Sequence, residues 1–148
     1  MRTIVKNICI LFIAVSFSHC SYGPELPPGD PDNGGLFLPE DFEAVVVADS
    51  TGSARLMAVS DIGDIYVKLR SPNPKGILAI RDANHDGKAD IVTSFGDYDD
   101  TGSYGTAMKI YNGYLYFSTA GEVYRIKLTP GKLIPDGKVE VIVIDDYK

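Results

Sequence analysis

The stretch GILAIRDANHDGKADIVTSF, residues 76–95, places an acidic loop between two short apolar runs. The runs ILAI and IVTSF are rich in apolar and β-branched residues, which is typical of strands. Between them the sequence follows the pattern D-x-N-x-D-G-x-x-D, in which oxygen-bearing side chains alternate and a glycine follows. The stretch therefore predicts two β-strands joined by a wide polar loop.

The loop has the composition of a calcium site. Calcium takes six to eight oxygen ligands, and side chains at positions 1, 3 and 5 before a sharp glycine turn allow a short loop to surround one ion. An EF-hand would also have glutamate at position 12, where this chain has Thr93, and helices on both sides. The sequence thus predicts an EF-like calcium loop between strands. The predicted ligands are Asp82, Asn84, Asp86, the Lys88 carbonyl and Asp90.

The alternative for this loop is an Asx-rich turn in which the carboxylates only accept hydrogen bonds from their own backbone. Three carboxylates within nine residues repel one another unless a cation lies among them, and this favours the metal.

The overall composition fits a turn-rich β protein. The chain has 148 residues, including 15 Gly, 9 Pro and 9 Tyr but no Trp, and this length suggests one domain. Its 14 basic and 20 acidic residues give a net charge of −6. This charge argues against a nucleic-acid partner, because phosphate binding needs clustered Lys and Arg.

Residues 1–20 have the features of a targeting segment. Arg2 and Lys6 precede an apolar run of ten residues, 8–17, which is too short to span a bilayer as a helix. Cys20 follows, and its position resembles the cleavage site of bacterial lipoproteins, where the cysteine becomes the lipidated first residue. We therefore expect a lipid-anchored protein of the bacterial periplasm or cell surface, with an ordinary secretory peptide as the alternative.

Residues 21–35 contain four prolines and four glycines without an apolar period, so they predict a linker between the membrane and the domain. Removal of Arg2 and Lys6 would change the net charge from −6 to −8.

From residue 36 to residue 148 the chain alternates short strands with turns and repeats itself. An outer strand is predicted at 42–48, followed by four-stranded units at 55–96 and 106–145. A period near 50 residues with four strands per unit indicates β-propeller blades, so the predicted fold is all-β with about two antiparallel blades. The repeat aligns Gly63 with Gly113, Tyr66 with Tyr116, and Met57 with Met108.

Several motifs together resemble a known family. LFLPEDFEAVVVAD (36–49), RLMAVSDIGDIYVKL (55–69), the acidic loop, NGYLYFST (112–119) and EVYRIKL (122–128) are similar to the first blades of the pyrroloquinoline-quinone-dependent sugar dehydrogenases, of the soluble glucose and sorbosone dehydrogenase type. The resemblance implies a periplasmic or secreted six-bladed propeller that binds the quinone and calcium. It also implies oxidation of the anomeric carbon of a sugar, with a histidine as base and a separate electron acceptor.

The chain differs from this family in the number of blades and in its histidines. Only about two blades are present, and neither His19 in the leader nor His85 in the loop matches the catalytic histidine. We therefore expect the N-terminal part of a sugar (aldose) dehydrogenase, inactive as this chain alone. Because two blades leave sheet faces uncovered, we also expect marginal stability or association.

Propeller topology places the loops that face the cofactor at the end of the blades opposite to the acidic loop. Arg55, Arg70 and Lys75 are therefore the predicted contacts to the carboxylates of the quinone, with solvated cations as the alternative. By the same topology the calcium loop lies at the far rim and is structural.

Two other function classes remain open. The acidic loop also resembles the calcium loops of integrin-type propellers, which bind partners without catalysis, and the chain could be an inactive fragment. Integrin-type repeats should carry the loop in every blade. The corresponding stretch of the second blade, residues 128–140, lacks the acidic pattern, and this favours the dehydrogenase.

Overall fold

A computed structural model describes residues 26–70, 76–98 and 105–144. Within these ranges the chain forms one short 3-10 helix and eight strands. The helix is Asn33–Gly35, and the strands are β1 Ala54–Val59, β2 Ile65–Leu69, β3 Ile77–Arg81, β4 Ile91–Phe95, β5 Met108–Tyr111, β6 Tyr114–Ser118, β7 Glu122–Lys127 and β8 Glu140–Ile144.

The strands form two four-stranded antiparallel sheets, each in simple sequential order. The first sheet is β1-β2-β3-β4 and the second is β5-β6-β7-β8. The turns β1–β2 and β5–β6 both contain a glycine at positive φ, Gly63 at 90° and Gly113 at 74°, which is the backbone conformation that tight hairpin turns favour. The all-β prediction of two antiparallel four-stranded blades is confirmed, and the two sheets do not close into a ring.

A shared apolar core joins the sheets face to face. One face of the first sheet contributes Tyr66, Ile77, Ala79 and Phe95, and the facing side chains of the second sheet include Leu115 and Phe117. The first strands β1 and β5 are in contact, as the inner strands of neighbouring propeller blades are. Alternation along β6, where Leu115 and Phe117 are buried between half-buried tyrosines, explains why one face enters this core.

Polar contacts cross the same interface. The hydroxyl of Tyr66 donates to the Leu133 carbonyl at 3.1 Å. Arg81, at the end of β3, donates to both carboxylate oxygens of Asp64 at 2.6 and 2.7 Å and approaches the Gly131 carbonyl at 3.4 Å. The connection between β7 and β8 is thereby attached to the first sheet.

The other face of the first sheet is partly covered by the N-terminal segment. Val67, Leu69, Leu78 and Ile80 are buried there beneath side chains that include Val47 and Ala48. Residues 42–48, predicted as a strand, form none in the structure. No strand among the described residues lies alongside for pairing. Instead Ala44 and Val46 form hydrogen bonds with residues 30–33 and with Lys88.

No helix among the residues that the structure describes is long and apolar enough to cross a membrane.

Candidate functional site

The acidic loop, residues 82–90, connects β3 to β4 at one end of the first sheet. Arg55 and Arg70 lie at the opposite end, where β1 begins and β2 ends, and the backbone N–H of Arg70 donates to the Ser53 carbonyl at 2.8 Å. This arrangement follows from the antiparallel order and agrees with the predicted separation of the metal loop from the predicted quinone contacts.

Asp82 organises the turn. Its Oδ1 accepts hydrogen bonds from the backbone N–H groups of His85 at 2.7 Å and Asp86 at 3.3 Å, and its Oδ2 accepts one from Gly87 at 2.8 Å. Gly87 adopts φ 87°, a conformation that side chains disfavour, so glycine at position 6 of the loop has a local steric reason.

The other predicted ligands are held in the same way. Asp90 Oδ2 accepts from the N–H groups of Ala83 at 2.7 Å and Asn84 at 3.3 Å. Asp86 Oδ1 accepts from the Lys88 N–H at 2.8 Å, while the Asn84 amide donates to Asp86 Oδ2 at 3.0 Å. All these side chains therefore turn toward the loop's own backbone.

The electrostatics at the start of the loop favour the charged form of Asp82. Partial desolvation raises the pKa of Asp82, but the N–H donors of Gly87, His85 and Asp86 outweigh it, and the pKa lies below its ordinary value. The pKa of Asp30, which lies beside the loop, is also lowered, chiefly by its hydrogen bond with Lys88. An anionic loop of this kind attracts cations.

The donor chemistry suits calcium, but the carboxylates do not form a ready cage. Across residues 26–70, 76–98 and 105–144, no group of three or more His, Cys, Asp or Glu side chains is arranged to hold a metal ion. The hydrogen bonds correspond to the Asx-turn alternative. Each carboxylate oxygen has two acceptor sites. Asp82 Oδ1 and Asp90 Oδ2 use both sites on N–H donors, whereas Asp82 Oδ2 and Asp86 Oδ1 accept one N–H each and keep a second site. Calcium binding by Asp82, Asn84, Asp86, Lys88 and Asp90 therefore stays a prediction.

The loop is attached to the N-terminal segment. The Lys88 ammonium group pairs with Asp30 at 2.5 Å and donates to the Val46 carbonyl at 3.2 Å, and the Ala89 N–H donates to the Val47 carbonyl at 2.8 Å. A Cβ added at Gly87 would lie 2.8 Å from Pro27 Cγ. The predicted linker, described from residue 26 onward, is thus partly a packed support for the loop.

The remaining predicted residues fall in two groups. Arg55 and Arg70 are both exposed at the end of the first sheet where β1 begins and β2 ends. Lys75 and the lipidation candidate Cys20 lie outside the described residues. His85 is exposed at the tip of the acidic loop, on the opposite end from Arg55 and Arg70.

Sequence reasoning missed two charged residues in the first sheet. Asp64 is almost fully buried and forms an ion pair with Arg81, and Lys68 is buried with its ammonium group 5.8 Å from the centre of the Tyr98 ring. The only local signal for Lys68 was its position inside the strand pattern IYVKL, where a charge interrupts an apolar run.

Comparison with known family models, curated proteins and solved structures finds no match to this chain. The fold, the loop chemistry and the sequence motifs are therefore the basis on which a function can be inferred.

Proposed function

We propose that this chain forms two neighbouring blades of a quinone-dependent sugar (aldose) dehydrogenase, with the acidic loop as its structural calcium site. The observation that carries the proposal is the pair of sequentially ordered four-stranded sheets, with β1 against β5 and the acidic loop between the third and fourth strands of the first blade. Six-bladed closure and the lipid anchor at Cys20 belong to the same proposal.

The two ends of the first sheet have separate roles in this proposal. At one end, Arg55 and Arg70 attract the carboxylates of the quinone, since fixed guanidinium groups match carboxylate geometry. The bound quinone would supply the two-electron acceptor for oxidation of the sugar. At the other end, calcium would neutralise the loop and fix β3 relative to β4. No described residue matches the base that removes the sugar hydroxyl proton, so we expect no turnover by this chain alone.

Thermal unfolding in calcium and in chelator tests the metal. A ligand that binds only the folded state stabilises it by RT ln(1 + [L]/Kd), about 2.7 kcal/mol at a hundredfold excess over Kd. We expect calcium to raise the Tm of the unsubstituted chain and of Asp61→Asn, an exposed carboxylate in the β1–β2 turn, but not of Asp82→Asn. Equal melting temperatures with and without calcium would refute the site.

Equilibrium dialysis with pyrroloquinoline quinone tests the cofactor. Loss of a charge-assisted contact weakens binding about tenfold, so Arg55→Ala combined with Arg70→Ala should bind the quinone at least tenfold more weakly than Lys138→Ala, which is exposed at the other end. Calcium stabilisation without quinone binding would instead favour the integrin-type binding module. Sugar-dependent dye reduction by this chain would contradict the expected lack of a base.

Mass spectrometry of the mature N-terminus tests the anchor. We expect a lipidated Cys20 as the first residue. A free, unmodified amino terminus at any other residue would contradict lipidation.

A further inference from the structure

Strand β8 is an exposed apolar edge. Among the strands that the structure describes, only β7 pairs with it. Its side chains Val141, Ile142, Val143 and Ile144 are each between 41% and 60% exposed. Because consecutive β-branched residues on an open edge present unpaired N–H and C=O groups beside apolar side chains, such a strand is a template for pairing with another chain.

A matching surface lies on the far face of the first sheet. Residues 45–48 border a groove of about 470 Å³ whose floor includes Leu56, Val67 and Ile80. Ala44 and Val46 use their backbone groups in hydrogen bonds, but within the described residues no hydrogen bond is made by the N–H or C=O of Val45. The Val47 carbonyl also accepts from the Ala89 N–H, so the segment offers β-branched side chains beside an apolar groove and, at Val45, both backbone groups for pairing.

These two surfaces cannot meet within one chain. The second sheet packs on one face of the first sheet, through a core that includes Phe95 and Phe117, whereas Val47 and Ala48 pack on the opposite face. The first sheet therefore lies between β8 and residues 44–48, and a second copy is required to bring the surfaces together.

The internal repeat gives the orientation of that second copy. Tyr66, on the face of the first sheet that the second sheet covers, aligns with Tyr116 of the second sheet. Tyr116 pairs with Arg125 on the open face of the second sheet, where the Arg125 guanidinium lies 4.7 Å from the centre of the Tyr114 ring. The open face of the second sheet is thus the repeat equivalent of a face that is already covered by a neighbouring sheet.

We propose that copies of this chain associate head to tail. The edge of β8 in one copy lies along residues 44–48 of the next and pairs with the backbone of Val45. This contact lays the open face of the second sheet over the groove on the first sheet. Such a contact joins two different surfaces, so it forms a ring if the rotation closes and an open array otherwise. The proposal goes beyond the proposed function and depends on neither calcium nor quinone.

Sedimentation equilibrium of the full chain tests the association. We expect an average mass that rises with concentration above the 16.0 kDa of one chain. Val143→Lys on β8 and Val46→Lys beside the groove should each return the mass to 16.0 kDa. Ile62→Lys is the matched control, because Ile62 is exposed in the β1–β2 turn away from both surfaces, and it should retain the association. A constant 16.0 kDa for the unsubstituted chain, or association that persists in both Val143→Lys and Val46→Lys, overturns the proposal.

A cross-linking experiment covers the case in which a lysine variant fails to fold. In the full chain with Cys9→Ser and Cys20→Ser, one preparation carries Val45→Cys and another carries Val143→Cys. A disulfide requires Cβ atoms about 4 Å apart, so mild oxidation of the mixture should join the two variants far more efficiently than it joins Val45→Cys to Ile62→Cys. Equal yields for the two mixtures overturn the proposal.

Discussion

The two sheets connect their third and fourth strands by different means. In the first sheet, residues 82–90 form the acidic loop, in which backbone N–H groups hold the side chains of Asp82 and Asp90. In the second sheet, residues 128–139 insert Leu133 into the core between the sheets and present its carbonyl to Tyr66. Equivalent connections in one blade plan are thus stabilised in one case locally by polar groups and in the other by distant apolar contacts.

Because of this difference, the two connections should contribute unequally to the free energy of unfolding. The second connection joins the two sheets, so changes there should lower the free energy of unfolding of the whole pair. Within the described residues, the acidic loop joins the first sheet to the N-terminal segment, through Lys88 and Asp30, and not to the second sheet, so its changes should be smaller in the absence of metal. We therefore compare variants of the chain in the absence of calcium.

The largest effect is expected for Leu133→Ala. Leu133 is 8% exposed in the core between the sheets, and truncation removes its apolar burial and leaves a cavity. We expect the free energy of unfolding to fall by about 3 kcal/mol in urea denaturation. Ile134→Ala, at a neighbouring residue that is 37% exposed, is the control and should cost less than about 1 kcal/mol. Equal losses would show that the connection is not anchored through Leu133.

The next effect concerns the ion pair beside this connection. Arg81→Met keeps the apolar stem but leaves Asp64, whose side chain is 4% exposed, without its guanidinium partner. Because Arg81 itself is 25% exposed, the loss should be about 2 kcal/mol, below that for a fully buried pair. Arg125→Met breaks the pair with Glu140 on an exposed surface and should cost less than about 1 kcal/mol. A loss for Arg81→Met no larger than that for Arg125→Met would contradict the bridging role.

A pair of glycine variants measures the packing of the acidic loop. Gly87→Ala and Gly113→Ala both place a side chain at positive φ, which costs about 1–2 kcal/mol. At Gly113 a new Cβ meets nothing within 4 Å, whereas at Gly87 it lies 2.8 Å from Pro27. Gly87→Ala should therefore destabilise more, and the excess over Gly113→Ala in chemical denaturation measures the contact with the N-terminal segment. Equal losses of unfolding free energy would mean that the N-terminal segment moves away from the new Cβ without destabilising the fold.

Much of the fold could be predicted because its signals are local. Strand alternation indicates the strands, and the Asn112–Gly113 turn specifies the β5–β6 hairpin. The repeat of about 50 residues then predicts a second sheet of the same plan. The acidic loop was predicted from its side chains, whose oxygens do lie within one turn. Local rules left open whether those oxygens face a metal ion or the loop's own backbone.

The contacts that join distant parts of the chain left no comparable signal. Tyr66 and Leu133 are 67 residues apart, and Lys88 and Asp30 are 58 apart. Residues 42–48 have the composition of a strand, but a strand also requires a neighbouring strand for its hydrogen bonds. β propensity describes how well a residue suits the surface of a sheet, and it does not reveal whether a partner strand is present.

The smallest effect concerns the hydroxyl of Tyr66, which links the two sheets. Its ionisation makes the free energy of unfolding depend on pH. Burial raises the pKa of Tyr66, the charge of Asp64 raises it further, and Arg81 opposes this in part. Below about pH 10 the phenol is protonated in both folded and unfolded chains, and Tyr66→Phe should cost about 1 kcal/mol through the lost hydrogen bond to Leu133.

Above that pH the unfolded chain ionises Tyr66 more readily than the folded one. A folded-state pKa above the unfolded value means that the stability is present at lower pH and is lost as pH rises through the folded pKa. The difference in unfolding free energy between the unsubstituted chain and Tyr66→Phe should therefore shrink from about pH 10 upward. Tyr111→Phe, at an exposed residue, is the matched control and should leave the pH dependence of the unsubstituted chain unchanged. A difference between the unsubstituted chain and Tyr66→Phe that stays constant through this range would show that the phenol ionises equally in both states, and that the contact with the second connection is open to water.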